Sequence, residues 1–260
     1  MCIFNFRKKI NRMRYFIIVI LLVFFKNTSA NDGQEKWYLQ WGWNREVYTK
    51  STIHFVNSGQ YDFYWNKVTA KDKPDFQAIP TLAVTIPQFS FRIGYRISEK
   101  WFLELNHDHT KYVVTPGQVI HLTGEIDGKS YDTDTILDNS QFHFEHTNGA
   151  NFWMLMAARK FTLGEKCQRL SFFAKGGAGI VFPRTDVTLF GKRLNNQFHV
   201  AGYIAGIEGN ARYQVWRGLY ADLGIKTGFA NYINALTVEG GKANHSFGFL
   251  EGIFSIGYSF

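Results

Sequence analysis

Residues 86–112 contain two stretches in which apolar and polar side chains alternate, separated by a three-residue turn at 98–100. A period of two residues predicts the two β-strands of a hairpin. One face of each strand carries aromatic and aliphatic side chains, and the other carries charged ones, such as Arg92 and Glu104, at the same depth. This distribution is typical of a membrane β-barrel, whose strands face lipid on the outside and a polar interior on the inside.

The same alternation recurs in eight segments, each long enough for a tilted membrane strand of ~9 to 11 residues. They span residues 36–49, 87–98, 101–114, 144–162, 169–183, 197–215, 219–236 and 246–260. Short connections alternate with long ones, as periplasmic turns alternate with external loops in bacterial barrels. The sequence therefore predicts an all-β fold: an eight-stranded antiparallel transmembrane β-barrel with long extracellular loops and both termini on the periplasmic side.

The first thirty residues differ from the rest of the chain. A basic stretch, an apolar core over 15–25 and small residues up to Ala30 are typical of a secretory signal. We expect a signal peptide over 1–30 and the barrel domain over 31–260. The signal holds six of the 29 basic residues and none of the 21 acidic ones, so the remainder is close to neutral and gives no indication of nucleic-acid binding. Cys2 leaves with the signal, so no disulfide partner is expected for Cys167.

The last predicted strand ends on an aromatic residue. In GFLEGIFSIGYSF, alternate positions up to Phe260 are apolar or glycine, which resembles the terminal signature that the barrel-assembly machinery reads. With WGWNR at 41–45, IPQFSFRIGY at 86–95, NHDHTKYVV at 106–114 and FEHTNGAN at 144–151, the chain resembles the small eight-stranded outer-membrane β-barrel proteins of Gram-negative bacteria. The resemblance implies the bacterial outer membrane as location. It implies outer-membrane lipid, lipopolysaccharide and, through Phe260, the assembly machinery as partners, but no activity.

Charged residues occupy the face that is predicted to point inward. An eight-stranded barrel has an interior just wide enough for its side chains, and an isolated buried charge is costly. We therefore predict a packed ion-pair network, with a narrow channel as an alternative. The predicted members are Arg92, Arg96, Arg159, Lys175, Arg212 and Lys226, facing Glu104, Asp108, Glu208, Asp222 and Glu251.

Aromatic residues mark the two ends of the predicted strands. Transmembrane barrels carry a ring of aromatic side chains at each membrane interface. The sequence predicts Trp37, Trp101 and Trp216 in the ring at the short turns, and Trp43, Tyr112 and Trp153 in the ring at the long loops.

All eight histidines fall in the long loops or at the strand ends beside them: His54, His107, His109, His121, His143, His146, His199 and His245. Two groups of them define a candidate rim site on the third and fourth predicted strands. Its candidate ligand-binding residues are His107, Asp108, His109, Glu145, His146 and Asn148. His107 and His109 share a face, so with His143 or His146 they are candidate zinc ligands, and a structural role in tying loops to the rim is the alternative.

A further chemistry for this rim is lipid hydrolysis. The segment EHTNGAN resembles the His-x-Ser-Asn segment of the outer-membrane lipid A deacylases, which implies His146 as catalytic base. Asn148 stands at the serine position and Thr147 is out of register, so the triad route lacks its nucleophile. We predict a structural or surface-binding protein without a cofactor, and keep a lipid-modifying hydrolase as the alternative. The long loops 50–86 and 115–141 are candidate surfaces for glycan, lipopolysaccharide or a protein partner.

Overall fold

The computed structural model describes residues 35–73, 88–147, 149–164, 167–238 and 240–260. Residues Lys36–Ser259 form one compact unit, which contains the strands that follow. The predicted signal peptide lies outside the described residues. Within the described ranges, no helix has the length and hydropathy needed to cross a membrane.

The described part of the chain is built from β-strands. In chain order they are β1 (Trp37–Tyr48), β2 (Ser51–Asn57), β3 (Tyr61–Val68), β4 (Ala70–Lys71), β5 (Phe89–Arg96), β6 (Trp101–His109), β7 (Tyr112–Val114), β8 (Val119–Ile126), β9 (Lys129–Ile136), β10 (Phe142–Thr147), β11 (Phe152–Thr162), β12 (Leu170–Val181), β13 (Arg184–Leu189), β14 (Lys192–Asn195), β15 (Gly202–Trp216), β16 (Leu219–Leu236) and β17 (Lys242–Ser259).

Eight of these strands form a closed antiparallel wall. They follow one another in the order β1, β5, β6, β11, β12, β15, β16 and β17, and β17 pairs back to β1. This closing pairing runs from Tyr38 opposite Ser259 to Tyr48 opposite Phe249. The predicted eight-stranded antiparallel β-barrel is therefore confirmed, and each wall strand falls on one of the eight predicted segments. We call the end with the short connections the turn end and the other end the loop end.

The outer face of the wall is apolar. Leu103 and Leu105 on β6, Leu223 and Ile225 on β16 and Phe254 on β17 are between 40% and 65% exposed. Alternation along each strand places these side chains outward, because the residues between them are buried in the interior. A belt of exposed apolar side chains around a closed wall is the surface of a barrel surrounded by lipid.

The turn end carries the predicted aromatic ring. One cation that was predicted to lie inside the barrel lies on its outer surface here. Trp101 is 45% exposed there. Arg159 was predicted to point inward, and this prediction is wrong, because the inward position on β11 is Ala158. Arg159 points outward. Its guanidinium lies 5.6 Å from the Trp101 ring and 5.3 Å from the Phe161 ring. A cation at this level is close enough to the interface to keep its charged end hydrated. Arg96 occupies an inward-facing position of β5, as predicted, and is half-buried.

The loop-end ring is confirmed only in part. Trp43 is 46% exposed and stacks on Phe254, with ring centroids 6.2 Å apart. Trp153 is half-buried on the same outer face. Tyr112 was predicted for this ring, and that prediction is wrong, because its side chain is fully buried among the loop-end strands. β6 ends at His109, so Tyr112 on β7 no longer belongs to the barrel wall.

The fourth predicted strand, 144–162, is two strands in the structure. β10 ends at Thr147 and β11 begins at Phe152. Between them, Gly149 and Asn151 have φ angles of +97° and +45°, and this left-handed backbone is incompatible with a continuous strand. β10 pairs with β13 and β7, whereas β11 pairs with β6. The residues of β10 are therefore not on the strand next to β6.

The long loops form two sheets that extend the loop end. In one, β17 leaves β1 and pairs with β2, and the sheet continues through β3 and β8 to β9. The other has the order β14, β13, β10, β7 and β4. Their apolar faces pack together: Phe55 lies 5.6 Å from Phe144, and Trp65 lies 5.7 Å from Phe142, between ring centroids. The described parts of the long connections therefore continue as strands beyond the closed wall.

Packing inside the turn end supports a first testable prediction. Gly94 on β5 is paired with Tyr38 on β1, and a Cβ at position 94 would overlap the tyrosine ring. That ring is fixed, because its hydroxyl donates to Glu104 and the Arg212 guanidinium lies 4.8 Å from its centroid. We expect Gly94→Ala to lower the free energy of unfolding by about 1 to 3 kcal/mol, measured by urea titration in detergent micelles. Gly209→Ala is the matched control, since the space around that position is open; an equal loss in both variants would contradict this account.

Candidate functional site

The turn end of the barrel interior is closed by an arginine held between aromatic rings. The Arg212 guanidinium lies 3.9 Å from the ring centroid of Tyr220, 4.5 Å from that of Phe173 and 4.8 Å from that of Tyr38. Its Nε donates to Asp222 at 3.0 Å. Cation–π contacts strengthen when the cation is removed from water, so the rings and the carboxylate together form a closed layer across the interior.

The next layer is an ion-pair network centred on Arg92. Its guanidinium lies 3.0 Å from Glu208, 3.4 Å from Glu104 and 3.6 Å from Asp108. The Lys175 ammonium group bridges Glu104 and Glu208 at 3.0 Å each. These five residues come from four wall strands and are at most 4% exposed. Each charge has partners of opposite sign, which is the condition under which buried charges are tolerated.

The network continues toward the loop end with an excess of acid. Lys226 contacts Asp108 and lies 3.5 Å from Glu251. Glu251 is the cross-strand partner of Glu46 on β1, and the Asn44 amide donates to both carboxylates at 2.9 Å. The structure thus buries nine of the eleven predicted network residues inside the barrel, and adds Glu46, which lies on the predicted inward face but was not counted as a member.

Above the charges, the interior becomes apolar. The side chains of Phe152, Met154 and Met156 on β11 are fully buried. Ile204 of β15 and Phe249 of β17 are at most 3% exposed. They belong to the same hydrophobic cluster as the facing sides of the two loop-end sheets. From turn end to loop end, three successive layers of side chains therefore fill the interior: aromatic, ionic and apolar.

The structure divides the rim residues predicted on β6 between two faces. His107 and His109 point outward, and Asp108 points into the ion-pair network, as alternation predicted. His107 stacks on Trp153 at 4.3 Å, and His109 stacks on Phe89 at 5.1 Å, between ring centroids. Both imidazoles are thus part of the aromatic outer surface at the loop end.

The predicted rim site on β6 and β10 does not assemble as one site. His107 is paired with Trp153 of β11, because β10 belongs to the neighbouring sheet. Glu145 and His146 are on β10 and face opposite sides of it, and Asn148 lies outside the described residues. Within the described ranges, no group of three or more His, Cys, Asp or Glu side chains is arranged to hold a metal ion.

His146 lies in a buried histidine pair that the sequence did not reveal. Its Nε2 is 3.0 Å from Nε2 of His245, and its Nδ1 is 3.3 Å from the Thr185 hydroxyl. Both rings stack on Tyr232, and Phe144 contacts each of them edge to face. His245 lies where β17 pairs with β2, beyond the closed wall. Spacing along the chain could not bring these histidines together, because 99 residues separate them.

The surroundings of the two histidines favour one tautomer of each ring and disfavour a positive charge on either. Nδ1 of His245 has no hydrogen-bond partner among the described residues, so a proton there would be a buried donor without an acceptor. The favoured arrangement has His245 donating from Nε2 to His146, which then donates from Nδ1 to Thr185. Burial lowers the pKa of His146 well below its ordinary value, as does the neighbouring His245, and burial lowers the pKa of His245 to about 3. Both imidazoles are neutral near pH 7.

This geometry gives His146 no role in the triad route to lipid hydrolysis. A catalytic base needs a nucleophile within reach on one side and an orienting group, commonly a carboxylate, on the other. The partners of His146 are a second imidazole and the hydroxyl of Thr185, and all three side chains are at most 4% exposed. A lipid ester has no access to them in this arrangement.

The outer face of the five-stranded sheet carries a polar cavity of about 490 Å³. Its floor contains His143 and Glu145 of β10 and Asp186 and Thr188 of β13. Only Glu145 belonged to the predicted ligand-binding set. His143 had been named only as a possible zinc ligand. Asp186 and Thr188 were missed because the pairing of β10 with β13 joins positions about 40 residues apart in the sequence, which no local pattern indicates.

Comparison with known proteins gives likeness in structure without likeness in sequence. No protein-family model matches the chain, and no curated protein matches it. Its structural neighbours are small outer-membrane β-barrel proteins, the class that the sequence resembled. They include OprG from Pseudomonas aeruginosa, with 11% identity over 87% of this chain and 96% of that chain and a TM-score of 0.47. Neisserial surface protein A has 12% identity over 86% and 97%, with a TM-score of 0.36.

Another of these neighbours is Ail, an outer-membrane protein of Yersinia pestis. It has 10% identity over 87% of this chain and 100% of that chain, and a TM-score of 0.34. At such identities the comparison concerns the barrel fold alone. The assignment of the fold rests on the strand pairing of the chain itself, which closes eight antiparallel strands into one wall.

Proposed function

We propose that the chain is an integral protein of the bacterial outer membrane with a closed barrel and a structural or surface-binding role. Three features support this proposal: the apolar outer belt, the aromatic side chains at both ends of the wall, and the two sheets built on the loop end. In this orientation the loop end faces the exterior and both termini face the periplasm. Outer-membrane lipid and lipopolysaccharide surround the belt, and the assembly machinery recognises the strand that ends at Phe260.

The observation that carries the closed-barrel proposal is the ion-pair network. Arg92 of β5 contacts three carboxylates on two other strands, Glu104 and Asp108 of β6 and Glu208 of β15, so the network crosslinks the wall through its interior. Ions crossing the barrel would have to separate these pairs and also pass the aromatic layer around Arg212. Eight-stranded barrels are in general just wide enough for their own side chains. The packing therefore favours a closed barrel over the narrow channel.

Planar-bilayer recording tests the closed interior. We expect purified wild-type protein to insert without discrete conductance steps, because three layers of side chains from the described residues fill the interior. A trimeric porin inserted under the same conditions is the positive control for detection. Single-channel steps from the wild-type protein that are absent from preparations without it would contradict the proposal and favour the channel.

Location and orientation need a separate experiment. Outer and inner membranes of expressing Gram-negative cells are separated on a density gradient, and intact cells are treated with protease. We expect the full-length mature chain in the outer-membrane fraction and cleavage in the exposed β8–β9 hairpin, where Asp127 and Gly128 form the turn. Recovery in the inner membrane, or cleavage only after the outer membrane is permeabilised, would contradict the proposed location or orientation.

A further inference from the structure

The cavity on the outer face of the five-stranded sheet lies opposite its apolar face. Along β10 and β13, Phe144 and Val187 point to the hydrophobic core, and Glu145 and Asp186 point the other way. A face turned away from the core would ordinarily be solvated. Here the two carboxylate side chains are only 8% and 6% exposed, because they form the floor of a cavity with walls around it.

The floor combines two carboxylates that the sheet places directly opposite each other. Glu145 and Asp186 are cross-strand partners, and like charges in that position destabilise a sheet. Two cations from the rim offset them: Lys73 lies 3.3 Å from Glu145, and the Arg193 Nε donates to Asp186 at 2.9 Å. The His143 imidazole also lies 3.3 Å from Glu145. The side chains of these two cations are mostly solvent-exposed, at 58% for Lys73 and 66% for Arg193, so the rim can adjust to a ligand.

The lining chemistry restricts the class of ligand. Among the described residues, every side chain that lines the cavity is polar; beyond those already named they are Thr188, Asn139 and Asn195. This polar lining disfavours a lipid chain. Lys73 and Arg193 balance the charges of Glu145 and Asp186, so the cavity attracts neither a polyanion nor a metal cation. The lining side chains supply both donors and acceptors, which suits hydroxyl groups, because each hydroxyl both donates and accepts hydrogen bonds.

We propose that this cavity binds a neutral saccharide of one or two sugar units at the cell surface. The proposal deepens the surface-binding role proposed above and rests on it. A volume of about 490 Å³ falls within the ~300 to 1,000 Å³ of small-molecule sites. Sugar hydroxyls donate to the carboxylates of Glu145 and Asp186 and accept from the Arg193 guanidinium and the asparagine amides.

Saturation-transfer NMR on the purified protein in detergent micelles tests the site. The probes are methyl glycosides of glucose, galactose and mannose, with lactose and maltose as disaccharides. Sulfated heparin disaccharide and N-acetylneuraminic acid form the anionic arm. We expect at least one neutral sugar to bind, and both Asp186→Asn and Arg193→Gln to weaken it at least tenfold. Asp134→Asn removes an exposed carboxylate on β9 and is the matched control with unchanged binding.

Two variants are used so that a failure of one of them to fold does not decide the outcome of the test. Arg193 is largely exposed, so Arg193→Gln is expected to fold even if the buried Asp186→Asn does not. No binding of any neutral sugar, or binding unchanged in both variants, would overturn the site. A preference for the anionic arm would overturn the ligand class. If these experiments fail while fractionation and bilayer recording give the expected results, the closed outer-membrane barrel stands and only the saccharide site is lost.

Discussion

Replacing Arg92 by methionine is expected to cost ~3 to 5 kcal/mol of the free energy of unfolding, the magnitude typical of breaking a buried ion pair from one side. The guanidinium lies within 3.6 Å of Glu104, Asp108 and Glu208. Methionine fills much of the same volume but leaves the three carboxylates with less positive charge in an interior that already holds an excess of acid. Urea titration in detergent micelles, followed by tryptophan fluorescence, measures the loss.

Two variants separate the effect of the lost charge on stability from the effect of the changed side-chain shape. Arg92→Met/Glu208→Gln removes one carboxylate together with the cation, and we expect it to recover part of the stability lost in Arg92→Met. Lys192→Met replaces a cation at the exposed turn between β13 and β14 and is expected to change stability by less than ~0.5 kcal/mol. If Arg92→Met were as stable as Lys192→Met, the network would not hold the barrel together.

The alternation of side chains predicted the barrel because it records a local constraint. Each wall strand has lipid on one face and a packed interior on the other, so a period of two residues persists through every strand. Inward residues such as Lys175 and Glu208 could be assigned from their own strands alone. Arg159 shows the limit of this procedure: a one-residue error in phase on β11 moved a cation from the outer surface to the interior, since neighbouring positions face opposite sides.

The loop-end features depended on contacts that a local pattern does not contain. The break between β10 and β11 comes from left-handed backbone at Gly149 and Asn151, and asparagine tolerates this conformation without requiring it. The position of Tyr112 in the sequence predicts an aromatic side chain at the membrane interface. In the structure Tyr112 lies on β7, and its side chain is buried in the core between the two sheets. The cavity over Asp186 and the histidine pair both arise from strands that meet only after the chain has folded.

The interior and the loop end therefore differ in how they respond to acid. Inside the wall, each cation has carboxylate partners, and charge is part of the packing. The histidine pair is held instead as two neutral rings among Tyr112, Tyr232 and Phe247. No cation or carboxylate of the described residues is hydrogen-bonded to either ring. Protonation of a ring introduces a charge that the surrounding aromatic core does not neutralise.

The loop-end sheets are accordingly expected to lose stability in mild acid. An imidazole with an ordinary pKa of 6.5 in the unfolded chain and about 3 in the folded protein, as for His245, binds its proton more tightly when unfolded. The stability it contributes is present above pH 6.5 and is lost as the pH falls from 6.5 toward about 3. At pH 4.5 this loss is ~3 kcal/mol, from two pH units at 1.36 kcal/mol each.

Comparison of wild type with His245→Gln isolates this effect from the titration of carboxylates elsewhere. Urea titrations at pH 7 and pH 4.5 give the acid-induced loss for each protein, and we expect it to be ~2 to 3 kcal/mol smaller in His245→Gln, whose side chain does not titrate. His121→Gln is the matched control: that imidazole is exposed beside Asp132 and Asp134, which raise its pKa. Its replacement therefore removes a group that favours the folded state in acid and does not reduce acid sensitivity. Equal acid-induced losses in wild type and His245→Gln would show that the pair is not held neutral by burial.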